Sequence, residues 1–159
     1  MAKKKKSSEP KGVRIANRKA FHEYHILEKV EAGLSLSGTE VKSLRAGQMK
    51  IDEAYARVEQ GEVYLVGATI SAYAQAADGM QHEPNRDRKL LLHRRQIRQL
   101  EAHVRQKGKT LVPLAVYFKN GWAKCELGVA EGKRQYDKRE SIKKRDQQRE
   151  MSREMRRRR

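Results

Sequence analysis

Apolar and polar residues alternate along most of the central chain, and the period changes in two short places. Between Phe21 and Val30, Tyr24, Ile26 and Val30 alternate with polar neighbours, and Leu34 and Leu36 resume the pattern after Ala32-Gly33. Period two marks a strand with one buried face, so this stretch predicts two strands joined by a turn at Ala32-Gly33. From Thr39 to Ala46 the spacing of Val41 and Leu44 becomes helical, with Thr39 placed to cap and Gly47 to stop. That helix presents Lys42 and Arg45 on one face.

Alternation returns at Ala54–Val58, Val63–Leu65 and Ile70–Ala72, which predicts three short strands with a break at Gly61. A polar loop from Asp78 to Asp87 leads into Arg88-Lys89-Leu90-Leu91-Leu92; Ile97, Leu100 and Val104 then mark a helix that Gly108 stops. Val112, Leu114, Val116 and Phe118 line one face of a strand. Asn120-Gly121 is the strongest hairpin signal in the chain, because both residues tolerate positive φ, and Trp122 to Val129 forms the return. Pro113 lacks an N–H and predicts an edge or a strand start at its position. The pattern predicts a mainly β protein: a small antiparallel OB-like barrel with two or three short helices.

Charge divides the chain in three. The net charge is +17, of which residues 1–19 carry +7, residues 132–159 carry +8, and the long middle only +2. Like-charged, weakly hydrophobic ends repel themselves and bury too little to offset ordering entropy. The expected organisation is therefore a basic flexible arm over 1–16, an OB-like barrel over 17–131, and a basic tail over 132–159 that is disordered when free. In the tail, Asp137 is placed to cap a helix, with Glu140 completing a capping-box pattern. A polyanion is the natural partner for such a chain. The single cysteine, Cys125, excludes an intramolecular disulfide and fits a reducing compartment. Met1–Lys6 is charged, but the polar Ser7-Ser8-Glu9-Pro10 follows where a leader needs apolar residues, which places the protein in the cytoplasm.

Catalytic and metal chemistry find little support. His22 and His25, three apart on an expected strand, point to opposite faces and cannot share an ion. No phosphate-binding glycine loop or triad spacing occurs. The expectation is a docking protein with no metal and no cofactor. A basic ribosomal or chromatin protein and a ribonuclease share the charge pattern.

Ordered motifs narrow the choice. Asn17-Arg18-Lys19-Ala20, His22-Glu23-Tyr24, Glu31-Ala32-Gly33, Gly38-Thr39-Glu40-Val41-Lys42-Ser43-Leu44-Arg45, Arg88-Lys89-Leu90-Leu91-Leu92 and Gly132-Lys133-Arg134-Gln135-Tyr136-Asp137-Lys138-Arg139 together resemble the small protein B, or SsrA-binding protein, family. The likeness spans residues 12 to 146. It implies an OB-like barrel that binds the tRNA-like part of transfer-messenger RNA and accompanies it to stalled bacterial ribosomes for trans-translation, with no role for DNA or membrane. By the same resemblance Glu31, Leu91 and His93 grip the tRNA-like part, His93 standing where the family often has Asn. Leu91 can pack on a base or ribose, and Glu31 can accept from a base edge, a 2′-hydroxyl or a basic side chain that it orients. Asn17, Arg18, Lys19, Lys42, Arg45, Arg88 and Lys89 are candidate phosphate and sugar contacts from their charge and their place beside the motifs. Gly132, Lys133, Arg134, Tyr136, Asp137, Lys138 and Arg139 lie where the resemblance puts the tail's entry to the decoding centre of the small ribosomal subunit, and the tail is expected to become helical there.

Overall fold

Two long strands joined by the Asn120-Gly121 turn organise the structure, a computed structural model that describes residues 12–157. In chain order the elements are β1 (Arg14–Ala16), α1 (Arg18–Glu23), β2 (Tyr24–Leu34), α2 (Gly38–Arg45), β3 (Met49–Lys50), β4 (Tyr55–Glu59), β5 (Glu62–Val66), β6 (Thr69–Ile70), β7 (Arg88–Leu91), α3 (Arg94–Val104), β8 (Lys109–Lys119), β9 (Trp122–Gly132) and α4 (Gln135–Arg157). Asn120 and Gly121 take φ of 52° and 78°, the left-handed pair that lets β8 and β9 fold back without splaying.

The antiparallel pairings β8-β4-β5-β7-β2-β9 return to β8, closing a ring of strands. One edge of β8 pairs with β9 throughout; its other edge meets β4 at Leu111 and β1 from Ala115 to Tyr117. The ring leaves β2, β7 and β9 with partners on both sides, which removes the exposed edges that invite pairing with other chains. Its interior holds Leu34, Val63, Leu65, Leu90, Leu111, Val116, Cys125, Leu127 and Val129, joined by Leu44 from α2 and Leu100 from α3; the expected single face of Val112, Leu114, Val116 and Phe118 is split, because the slip at Pro113 turns Val112 and Leu114 away from the interior that Val116 enters. A smaller cluster of Ala20, Val112, Leu114 and Ala130 seats α1.

Four local expectations are corrected. Ala32-Gly33 is no turn, because β2 runs unbroken to Leu34 and both residues pair with β9. α1 replaces the strand expected over 21–23, so His22 lies in a helix and His25 in a strand. Pro113 sits inside β8, where the register with β9 slips between Pro113 and Ala115; the irregularity accommodates a residue with no N–H to give. The cap of α2 lies two residues earlier than expected: Ser37, not Thr39, is its N-cap, and the Ser37 N–H donates to the Glu40 carboxylate at 2.8 Å. Part of the expected N-terminal arm, Arg14–Ala16, is β1; its first eleven positions lie outside the described residues.

Candidate RNA interface

Alternation fixes which side chains face outward. On β9, Cys125 and Leu127 are buried, so Trp122, Lys124 and Glu126 share the outer face; on β8 that face carries Tyr117 and Lys119. Glu31 pairs with Glu126, and Gly33 lies between Lys124 on β9 and Leu91 on β7. Gly33 has a steric reason to be glycine, since a Cβ there would stand 3.1 Å from the Leu91 Cβ. Leu91 crosses this bare patch and is 54% exposed. The face thus carries Glu31, Leu91, Tyr117, Lys119 and Lys124 over neighbouring strands, uniting two of the three residues expected to grip RNA.

Glu31 is held ready as an anion. The Tyr117 phenol donates to it, and Lys119 Nζ lies 3.3 Å from Oε1. The phenol's hydrogen bond and the Lys119 ammonium outweigh partial burial and keep the carboxyl below its usual range. Burial first, and the Glu31 hydrogen bond second, push Tyr117 up to about 12, so it stays a donor. Arg14 stacks over the Tyr117 ring at 5.0 Å and reaches Glu126 at 3.3 Å. Glu31 is therefore a strand residue fixed by two neighbours that sequence reading passed over. Tyr117, Lys119 and Lys124 could have been found from the same alternation that identified Val116 and Phe118 as core.

His93, beyond Leu91, is the N-cap of α3, and its N–H donates to Gln96 at 3.1 Å. Lys89, Leu91, Leu92, Arg94, Ile97 and Arg98 line a groove of about 600 Å³ between β7 and α3, with Glu62 and Glu101 on its rim. Lys89 is exposed to this groove and pairs with Glu62. Lys42 and Arg45 are both exposed on α2, over the Tyr73 ring at 5.3 Å and the Phe118 ring at 5.6 Å respectively.

Two expected RNA contacts prove to be structural. Arg88 neighbours Lys89 but points inward, 0% exposed. Its guanidinium donates to Glu40 at 2.9 Å and to the carbonyls of Ala68, Arg86, Glu83 and Pro84, so no N–H remains for a phosphate. Asn17 is also buried. Its carbonyl accepts from Ala20 N–H at 3.0 Å as the N-cap of α1, and its amide donates to Ile51 and Pro113 carbonyls. Arg18 remains exposed, while Lys19 pairs with Glu53 beside Glu23 and Asp52, which balances its charge locally.

The tail residues leave β9 through a fixed root. Lys133 N–H donates to the Glu23 carbonyl at 2.9 Å, and its ammonium reaches the Phe21 carbonyl at 3.1 Å and Ser141 Oγ at 3.3 Å. His25 Nε2 and Asp137 Oδ2 are 3.4 Å apart. Beyond this root α4 is a 23-residue helix with no buried residue. Asp137 lies in its first turn rather than at its cap, because the helix begins two residues earlier. Tyr136 projects from that turn, 70% exposed. Arg145, Arg149, Arg153 and Arg156 recur at helical spacing along one side.

A closed β ring matches the barrel that the motifs implied, and comparison with known proteins decides the family. The family model described as SmpB protein matches residues 14–157. The chain belongs to the SmpB family. Similar relatives include an SsrA-binding protein of Carboxydothermus hydrogenoformans, 54% identical over 88% of this chain and 93% of its own. Another, an SsrA-binding protein of Salinispora arenicola, is 55% identical over 87% of this chain and 86% of its own. A solved chain from "tmRNA-SmpB: a journey to the center of the bacterial ribosome" superposes with a TM-score of 0.65 at 47% identity, over 81% of this chain and 94% of that one. These matches place the motifs within an SmpB fold.

Proposed function

We propose that the chain binds the tRNA-like part of transfer-messenger RNA through the outer face around Glu31 and Leu91, and carries it to stalled bacterial ribosomes in the cytoplasm. The observation that carries this reading is the Glu31 cluster. A carboxylate kept ionised by Tyr117 and Lys119, beside an exposed Leu91 over a glycine floor, offers an acceptor and an apolar contact to a folded RNA. Surrounding lysines add counterion release, which supplies affinity without sequence selectivity. The family relationship, and the relatives' name, support the identity of the RNA.

The protein acts as an adaptor rather than an enzyme. His82 engages both ring nitrogens, with Thr39 at 2.9 Å and the Ile70 carbonyl at 3.0 Å, and His103 faces Glu28 at 3.1 Å. These imidazoles serve packing and hydrogen bonding. α4 takes the separate role of entering the empty messenger channel at the decoding centre. Tyr136 stacks on a base at its mouth, and the arginine side of the helix faces ribosomal phosphates. A helix with no buried residue has its partner elsewhere, and its charge selects a polyanion.

Truncation after Glu131 tests the division of labour. Filter binding should show affinity for transfer-messenger RNA largely kept, while peptide tagging on stalled ribosomes is lost. Full tagging by the truncated chain would refute the role given to α4.

A further inference from the structure

Trp122 has no part in the core and no role in the Glu31 cluster. Its side chain is 73% exposed at the tip of the β8–β9 hairpin, opposite Lys119. It shares the outer face with Lys124, two residues and about 7 Å along β9. The last β2 residue paired with β9 is Gly33, opposite Lys124, so Trp122 projects past the end of that pairing. An indole left this open forgoes a large burial gain; Lys119 is its register partner on β8, and Lys124 follows two residues along β9. A flat π face beside cations suits a nucleobase and its phosphates.

We propose that Trp122 is a stacking platform for an unpaired base of the bound RNA, with Lys119 and Lys124 neutralising the adjacent phosphates. This rests on the reading that RNA lies on the outer face, and it lengthens that face beyond Glu31 and Leu91 to the hairpin tip. A protein surface is the competing occupant, but the paired lysines favour a polyanion.

The chain has one tryptophan, so emission excited beyond the tyrosine absorption band reports this position alone. Titration of the full chain with transfer-messenger RNA should quench that emission in step with binding measured on filters. Trp122→Ala should weaken binding about tenfold, and Trp122→Phe, which retains a ring, less than about threefold. Both variants should unfold at the wild-type temperature, since the side chain is outside the core. Binding without quenching, or wild-type affinity in Trp122→Ala, would overturn the proposal. An emission change that appears only on adding ribosomes would overturn it as well, and assign the residue to a ribosomal surface. No binding of RNA by the intact chain would refute the outer-face reading and this proposal together.

Discussion

Adjacent residues can have opposite functions on a strand, and Arg88 and Lys89 show why. Side-chain direction alternates, so Arg88 turns into the interior with Leu90 while Lys89 turns outward with Leu91. Once inside, Arg88 needs a counter-charge, and Glu40 supplies it while also accepting two bonds from Arg86, at 2.8 and 2.6 Å. Burial pushes the Glu40 carboxyl up, but the Arg86 guanidinium, the Ser37 amide and the Arg88 charge outweigh it and hold the group at about 2. Because the folded value lies below the ordinary 4.5, this contribution is complete above pH 4.5 and is lost as the pH falls toward 2. Acid unfolding should show that loss, and Glu40→Gln should remove the dependence over this window. Glu40→Gln should also lower the unfolding free energy by about 3–5 kcal/mol in urea titrations, since it strands buried arginine charge; a loss under about 1 kcal/mol would contradict the pairing. Gly33→Ala acts on the outer face instead. The new Cβ meets the Leu91 Cβ, which is fixed to the β7 backbone, so β2 and β7 must part slightly; RNA affinity should fall several-fold and the thermal midpoint should drop measurably.

Among the elements, α4 is the least supported by the rest of the chain, because only its root touches the ring. Gln147→Pro should break it in mid-course, since proline removes a helical bond and costs about 3 kcal/mol or more. Far-UV circular dichroism should report the lost helix, with RNA binding unchanged and tagging reduced; intact tagging would show that charge alone suffices. The β8–β9 hairpin was readable from the sequence because alternation and Asn120-Gly121 agree. Elements that failed to announce themselves have physical reasons. Gly33 looks like a turn residue but is needed for the close approach of Leu91. α1 has only six residues, too few to establish a helical period, and its cap Asn17 was read as an RNA contact because its neighbours are basic. Pro113 breaks a rule that the register slip satisfies. The expected Glu31–Leu91 pairing on one face emerged, whereas Tyr117 and Lys119 were missed because attention to the core half of β8 left its outward half unread. In the tail a segment with few apolar residues forms α4, its first turn fastened by Lys133 and Asp137 rather than by a hydrophobic stripe.

For the whole molecule the question is how a chain of net charge +17 distinguishes one RNA from the many polyanions of a cell. Counterion release attracts all of them and weakens steeply with salt. On the proposed reading selectivity comes from the rigid face, where Glu31, held by Tyr117 and Lys119, and Leu91 are fixed by strands paired on both sides. Replacing a lysine in Lys3–Lys6 should therefore reduce affinity for every RNA alike, whereas Glu31→Gln or Leu91→Ala should reduce the preference for one. The decisive measurement is filter binding of transfer-messenger RNA and of an unrelated tRNA-sized RNA over a rising salt series. Both affinities should fall, but a preference for transfer-messenger RNA should persist at high salt and shrink in Glu31→Gln and Leu91→Ala; convergence of the two wild-type affinities on one value would contradict selective recognition by this face.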